Sequence, residues 1–280
     1  MELLEQPRSH YELSDGVKLA YVEMGQGTPL VLIHGWSSSI NWWRYNVEAL
    51  ARDFRVIAVD LRGHGDSEKV PTGHTIEQYA RDVRELVAGL GAEDGLMVGW
   101  SMGCMVLWNY VMQFGRDQAR AMIFVGQSAR DLKTPEFDLA LMTHDDLHEW
   151  MLAVQTDRPA FLAQLMHDTC KHVPSEAFLN WMSEDYQRCP PHIAAVALYH
   201  QTTVDSLPAF PLIDFPTQVH FGTDPKMYEL AQGEYLAREI PGCELVVFEE
   251  SGHVPMIEEP EKFNETVKAF ARQVFDEAPV

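Results

Sequence analysis

Hydrophobic residues fall along this 280-residue chain in short unbroken runs, separated by stretches where they recur every three or four positions. The runs are Leu30–Ile33 (LVLI), Arg55–Asp60 (RVIAVD), Leu96–Gly99 (LMVG), Ala121–Val125 (AMIFV), Thr217–Phe221 (TQVHF) and Glu244–Phe248 (ELVVF). Short apolar runs of this kind suit strands buried on both faces, as in parallel sheets covered by helices. Val17–Gly25 (VKLAYVEMG) alternates instead, the pattern of a strand with one wet face. Between runs, Thr75–Gly91 and Glu259–Phe275 carry helical spacing, the first closing on a glycine. Strands alternating with helices predict an α/β fold with a mostly parallel, doubly wound sheet.

The alternation breaks once. From Asp131 to Leu207 no convincing strand appears, bulky residues such as Met142, Trp150, Phe161 and Trp181 recur, and prolines at 135, 159, 174, 190 and 191 punctuate the stretch. This predicts an inserted helical cap subdomain over 131–207, with 1–130 and 208–280 forming the core domain. An ordinary run of outer helices is the bland alternative.

Leu96–Trp108 (LMVGWSMGCMVLW) stands out because no Asp, Glu, Lys or Arg occurs from Gly95 to Gly115. A membrane span is the first reading to test, but Gly99, Ser101 and Gly103 in that order suit it badly. A strand, a sharp turn and a buried helix suit the stretch better. Gly99-Trp100-Ser101-Met102-Gly103 then fits G-x-S-x-G, which perches a nucleophile on a strand-to-helix turn. Small flanking residues let the backbone fold back there, and the helix N-terminus favours developing negative charge near the serine.

The formal net charge of −21 disfavours nucleic acid and anionic lipid, leaving a small molecule as the expected partner. Met1–Gly16 carries acids early and no apolar centre, unlike a secretory signal. Cys104, Cys170, Cys189 and Cys243 lack metal-site or disulfide-scaffold spacing, which fits free thiols in a reducing cytoplasm. Oligomeric state is not encoded in any pattern found.

With the G-x-S-x-G turn in place, further segments fall in chain order. Leu30–Trp36 (LVLIHGW), Val56–Ser67 (VIAVDLRGHGDS), Phe221–Pro225 (FGTDP) and Glu250–Asn264 (ESGHVPMIEEPEKFN) together resemble the α/β-hydrolase fold family. The likeness spans almost the whole chain outside the cap and is nearest to small cofactor-free esterases and non-haem haloperoxidases. The resemblance implies Ser101 as nucleophile, Asp224 as acid and His253 as base, with no metal and no cofactor. A neutral serine hydroxyl needs such a base, and the acid holds the ring in the useful tautomer. The resemblance also implies an oxyanion hole from the backbone N–H groups of Trp36 and Met102. The acid loop, Gly222-Thr223-Asp224, is one residue shorter than the family's G-x-x-D, so Asp131 after the preceding strand is the alternative acid.

Trp36, Trp100, Trp150 and Trp181 are expected to line a large apolar pocket for an acyl or aryl group. Serine at the nucleophile position argues against dehalogenase or epoxide hydrolase chemistry, which needs a carboxylate there. Hydrolysis of a carboxylic ester or thioester through an acyl-enzyme is the expected reaction. Acyl transfer, biosynthetic thioesterase action, and cofactor-free dioxygenase, lyase or carbon–carbon hydrolase chemistry use the same residues, and a ligand receptor is the remaining alternative. Other conspicuous residues have plainer readings: Arg62, His64 and Asp66 as turn stabilisers, His144 and His148 as a solvated helix face, Cys104 as packing. Trp42 and Trp43 belong either to the entrance or to the core.

Overall fold

A computed structural model describes residues 6–276, so the first five residues of the acidic N-terminal stretch lie outside the described residues. Its eight strands are β1 (Ser9–Glu12), β2 (Lys18–Met24), β3 (Pro29–Ile33), β4 (Arg55–Val59), β5 (Gly95–Trp100), β6 (Ala119–Val125), β7 (Thr217–Gly222) and β8 (Glu244–Phe248). They form one sheet in the order β1-β2-β4-β3-β5-β6-β7-β8. β1 and β2 pair antiparallel and β2 joins β4 antiparallel, while every other pairing is parallel. Because β3 lies between β4 and β5, growth of the sheet reverses there. A crevice at the C-terminal strand ends follows from that reversal.

The apolar runs became strands for the expected reason. Leu30, Val31, Leu32 and Ile33 have no exposure, and all six β5 residues are buried. Each such Leu, Ile or Val contributes about 1.5–3 kcal/mol relative to staying exposed. β1 was not foreseen, because Ser9, His10 and Glu12 are exposed and only Tyr11 is half-buried. Backbone pairing to β2 holds it, and that leaves no apolar signature.

The helices are α1 (Val47–Leu50), α2 (Ile76–Gly89), α3 (Met102–Phe114), α4 (His144–Thr156), α5 (Arg158–Thr169), α6 (Glu176–Tyr186), α7 (Pro191–Thr203), α8 (Leu230–Glu239), α9 (Pro255–Glu258) and α10 (Pro260–Asp276). α3 is the uncharged stretch, and its residues from Met102 to Val111 are all buried. Its lack of charge thus reflects burial within the fold, and no helix among the described residues is long and apolar enough to cross a membrane. α4 to α7 lie between β6 and β7. They are tied to the sheet by Trp36 Nε1 donating to Ala194 O at 2.7 Å and Arg158 Nη2 donating to Ser37 Oγ at 2.8 Å. The acidic start of α4 is a capping box: Thr143 Oγ1 accepts from Asp146 N, and the Asp146 carboxylate accepts from Thr143 N.

Candidate active site

β5 ends at Trp100 and α3 begins at Met102, leaving Ser101 alone on the turn with φ 53 and ψ −123. A non-glycine residue rarely adopts that conformation, so its surroundings must enforce it. The glycines show how. A Cβ on Gly99 would sit 2.5 Å from Gly103 O, and one on Gly103 would sit 2.5 Å from Ile33 O. Only bare α-carbons let strand, turn and helix approach this closely. Ser101 N donates to Val125 O at 2.9 Å, pinning the turn to β6.

The loop after β3 packs directly on this turn. A Cβ on Gly35 would come within 3.0 Å of Ser101 Cβ, so the Gly35–Trp36 backbone lies beside the nucleophile. His34 holds the loop: Nδ1 donates to Gly35 O at 2.8 Å, and Nε2 accepts from Leu61 N at 3.0 Å. Burial lowers its pKa to about 4, so the ring stays neutral and serves as a fixed strut.

His253 reaches the same place from beyond β8. Its peptide N–H donates to Thr169 O of the cap at 2.9 Å, and its carbonyl accepts from Trp100 Nε1 at 3.0 Å. The ring lies against Trp100 and Tyr228, with centroids 5.5 and 5.2 Å away. Gly252, just before it, donates to Glu258 Oε2 at 2.7 Å. The other oxygen of Glu258 accepts from Lys171 N and His172 N, so one carboxylate staples the cap segment to the histidine loop. Ser101 and His253 are each 7% exposed and line one cavity, although no hydrogen bond joins their side chains. Such bonds commonly tighten only around substrate.

The acid side is built differently. His253 Nδ1 has no hydrogen-bond partner, and burial alone lowers the ring's pKa to about 3. Asp224 N donates to Ser251 O at 3.2 Å, which sets the acid loop beside the histidine loop. Its carboxylate, however, faces Lys226: Oδ2 lies 3.2 Å from Nζ, and Oδ1 accepts from the Lys226 N–H at 3.0 Å. Lys226 Nζ also donates to Cys170 O and Lys171 O of the cap. Asp131 has no exposure and accepts from Gln127 Nε2 at 2.7 Å, Tyr228 Oη at 2.8 Å and Gln201 Nε2 at 3.1 Å. Burial raises its pKa to about 7 against the opposing pull of those donors. Neither carboxylate touches His253.

The cavity is apolar but narrow, about 40 Å³, with room for one or two water-sized groups. This corrects the expectation of a large pocket. Trp36, Trp100 and Trp150 line it, whereas Trp181 lies outside the lining, tilted against Trp42 and Phe178. Trp42 is fully buried and stacks on Trp100 at 4.8 Å, so it belongs to the core behind the cavity wall and not to an entrance. Trp43, equally buried, packs on Phe263. Sequence reading missed the other polar members of the lining, Thr169, Tyr186, Gln201 and Tyr228. Nothing in their local patterns sets them apart.

Arg62 forms a two-pronged pair with Asp82, both contacts 2.8 Å, and Asp66 pairs with Arg188. His64 Nδ1 meets Arg62 O at 3.0 Å, so this segment braces its turn. His144 and His148 are exposed, and no group of three or more metal-type ligands forms among the described residues. Cys104 Sγ donates to Gly99 O at 3.0 Å beneath the turn, where burial pushes the thiol pKa up and keeps it protonated. All four cysteines are free.

Residues 30–266 match the sequence profile of the Alpha/beta hydrolase family. The chain belongs to that family. This α/β-hydrolase is 29% identical to the AB hydrolase superfamily protein YisY of Bacillus subtilis, over 94% of this chain and 98% of that protein. It is 29% identical to a non-heme haloperoxidase of Rhodococcus erythropolis, over 78% and 82% of the two chains. Among solved structures, an esterase of Exiguobacterium antarcticum superposes with a TM-score of 0.90 at 25% identity, covering 94% of this chain and 99% of that one.

Proposed function

We propose that this α/β-hydrolase cleaves carboxylic esters or thioesters through an acyl-enzyme on Ser101. One observation carries the reading: a strained serine at a strand-to-helix turn shares a small apolar cavity with a buried imidazole that carries no charge. Ser101 Oγ attacks the acyl carbon while the free ring nitrogen of His253 takes its proton. The oxyanion is met by the Met102 and Trp36 peptide N–H groups, each worth roughly a hundred- to a thousand-fold in rate. The imidazolium returns the proton to the departing alkoxide or thiolate. Water, deprotonated by the same ring, then releases the acid and restores Ser101.

Asp224 is proposed as the acid, its carboxylate exchanging Lys226 for His253 Nδ1. Its place after β7 and its backbone bond to the histidine loop support this assignment. The narrow cavity favours a short acyl group, and the likeness to an esterase fits the same chemistry. We take the cap to span 131–207 and the site of action to be the cytoplasm, on the strength of the helical insertion and the free thiols. An aryl ester should give a burst of phenol equal to the enzyme present. An organophosphonate should label Ser101, as read by peptide mass. An unlabelled serine with no turnover of any ester or thioester would overturn the reading.

A further inference from the structure

Trp150 of α4 and Leu165 of α5 line the cavity that holds Ser101 and His253, and both also line a second cavity. That outer cavity measures about 80 Å³, and Phe161, Gln164 and Asp168 complete its wall. It has room for two or three water-sized groups. Gln164, exposed at the surface, donates through Nε2 to Asp168 at 2.9 Å and gives this cavity one polar side. The remaining lining is apolar. Aromatic rings run from one cavity to the other: Phe161, in the outer wall, stands edge-on to Trp150 at 5.3 Å and to Trp36 of the inner wall at 6.1 Å. The two spaces are therefore neighbouring compartments, with Trp150 and Leu165 as their shared wall.

The three tryptophans of the inner lining are held unequally. Trp36 Nε1 donates to Ala194 O at 2.7 Å, and Trp100 Nε1 donates to His253 O at 3.0 Å. The Trp150 indole makes no hydrogen bond among the described residues; it is half-buried and its ring packs on Phe161. Cutting back Trp36 or Trp100 would break a tether, whereas cutting back Trp150 chiefly opens space. Among the described residues, no Lys or Arg lines either compartment, so the path suits a neutral chain and offers an anionic one no counter-charge. We infer that Trp150 and Leu165 are specificity-determining residues, which stop the ester chain directed toward α4 and α5 after a few carbons. The preferred substrates are then esters or thioesters with a short neutral alkyl chain on that side. The outer compartment is the space a longer chain enters once the wall is cut back. This inference rests on the ester-hydrolase reading of the inner cavity and names its substrate class.

The test measures kcat/KM along two series. For the acyl side these are p-nitrophenyl acetate, butanoate, hexanoate and octanoate, and for the alcohol side ethyl, butyl and hexyl acetate. In at least one series the wild-type protein should lose about 10-fold or more from the shortest chains to the longest, and the series that responds identifies which half of the ester meets the wall. Each methylene admitted to an apolar space gains about fourfold. Trp150→Ala should therefore raise the long-to-short ratio of that series by about 10- to 100-fold. Leu165→Ala should move the ratio the same way by less, and it carries the test if the first variant folds poorly. Trp181→Ala, outside both linings, should leave the ratio unchanged. A wild-type rate that does not fall with chain length in either series, a ratio that neither wall variant moves, or an equal shift in Trp181→Ala overturns the inference and leaves the esterase reading standing. Absence of turnover and of Ser101 labelling together overturns both.

Discussion

Ser101 and His253 face one cavity, yet the surroundings that hold them differ. Around Ser101 the constraint is steric: Gly35, Gly99 and Gly103 each bring bare backbone against the turn, and no ionisable group takes part in it. Around His253 the constraint is a set of backbone hydrogen bonds, while Nδ1 of its ring has no partner. The nucleophile is therefore fixed by shape before any substrate arrives. The base is fixed in position but not in tautomer, because nothing bonded to Nδ1 dictates where its single proton sits.

The largest expected effects test whether these two surroundings serve one reaction. Ser101→Ala and His253→Ala should each lower kcat/KM by about 10⁴-fold or more at unchanged melting temperature. Equal, non-additive losses in the double variant would show that both act as a unit. Next comes the acid. Asp224→Asn should cost about 10³- to 10⁴-fold in kcat, against a much smaller loss for Asp131→Asn, measured on one aryl ester. The reverse ranking would move the acid to the carboxylate beneath Tyr228. Both remaining full strength would mean that an isolated imidazole suffices.

Stability comparisons follow. Gly99→Ala places a Cβ 2.5 Å from backbone and should destabilise the fold by about 3 kcal/mol or more in urea titration. Gly126→Ala, on the histidine side, meets His253 Nδ1 at 3.0 Å from a backbone with φ +58 and should cost about 1–2 kcal/mol. Comparable losses would erase the contrast between the two sides.

The dependence on pH bears on the same comparison. Burial lowers His34 to about 4 and His220 and His253 to about 3. Each folded ring favours its neutral form, so its contribution is fully present above the ordinary 6.5 and is lost as pH falls toward 3–4. In that window each adds a slope of about 1.4 kcal/mol per pH unit. Asp131, raised to about 7, works in the other direction: its contribution is complete below 3.8 and is lost as pH rises through 7. Urea midpoints between pH 7.5 and 5 should fall with acidity in the wild-type protein and fall less in His220→Gln. The acid limb of kcat/KM should likewise lie below 6.5. A limb of kcat at or above 6.5 would report a carboxylate on Nδ1 during turnover.

Sequence revealed what burial and backbone geometry impose. β3 to β8 were legible because strands covered on both faces must be apolar, and the turn at Ser101 was legible because close backbone approach demands glycine at 99 and 103. β1 was not, since its pairing uses peptide groups common to every residue. Partner choice at Asp224 was equally hidden: it depends on a loop one residue short and on a lysine two positions on, which competes for the same oxygens. The cavity's size escaped because side-chain identity does not say whether Trp42 and Trp181 stand at a wall or behind it. Gln201 gave no warning either, lying on a helix buried around most of its circumference.

The segment from Thr169 to His172 grips the loops of both His253 and Asp224: it takes the peptide proton of His253, gives two of its own to Glu258, and receives Lys226. One short stretch of the cap therefore ties the base's loop and the acid's loop to a common anchor, and a substitution that displaces it would disturb both at once.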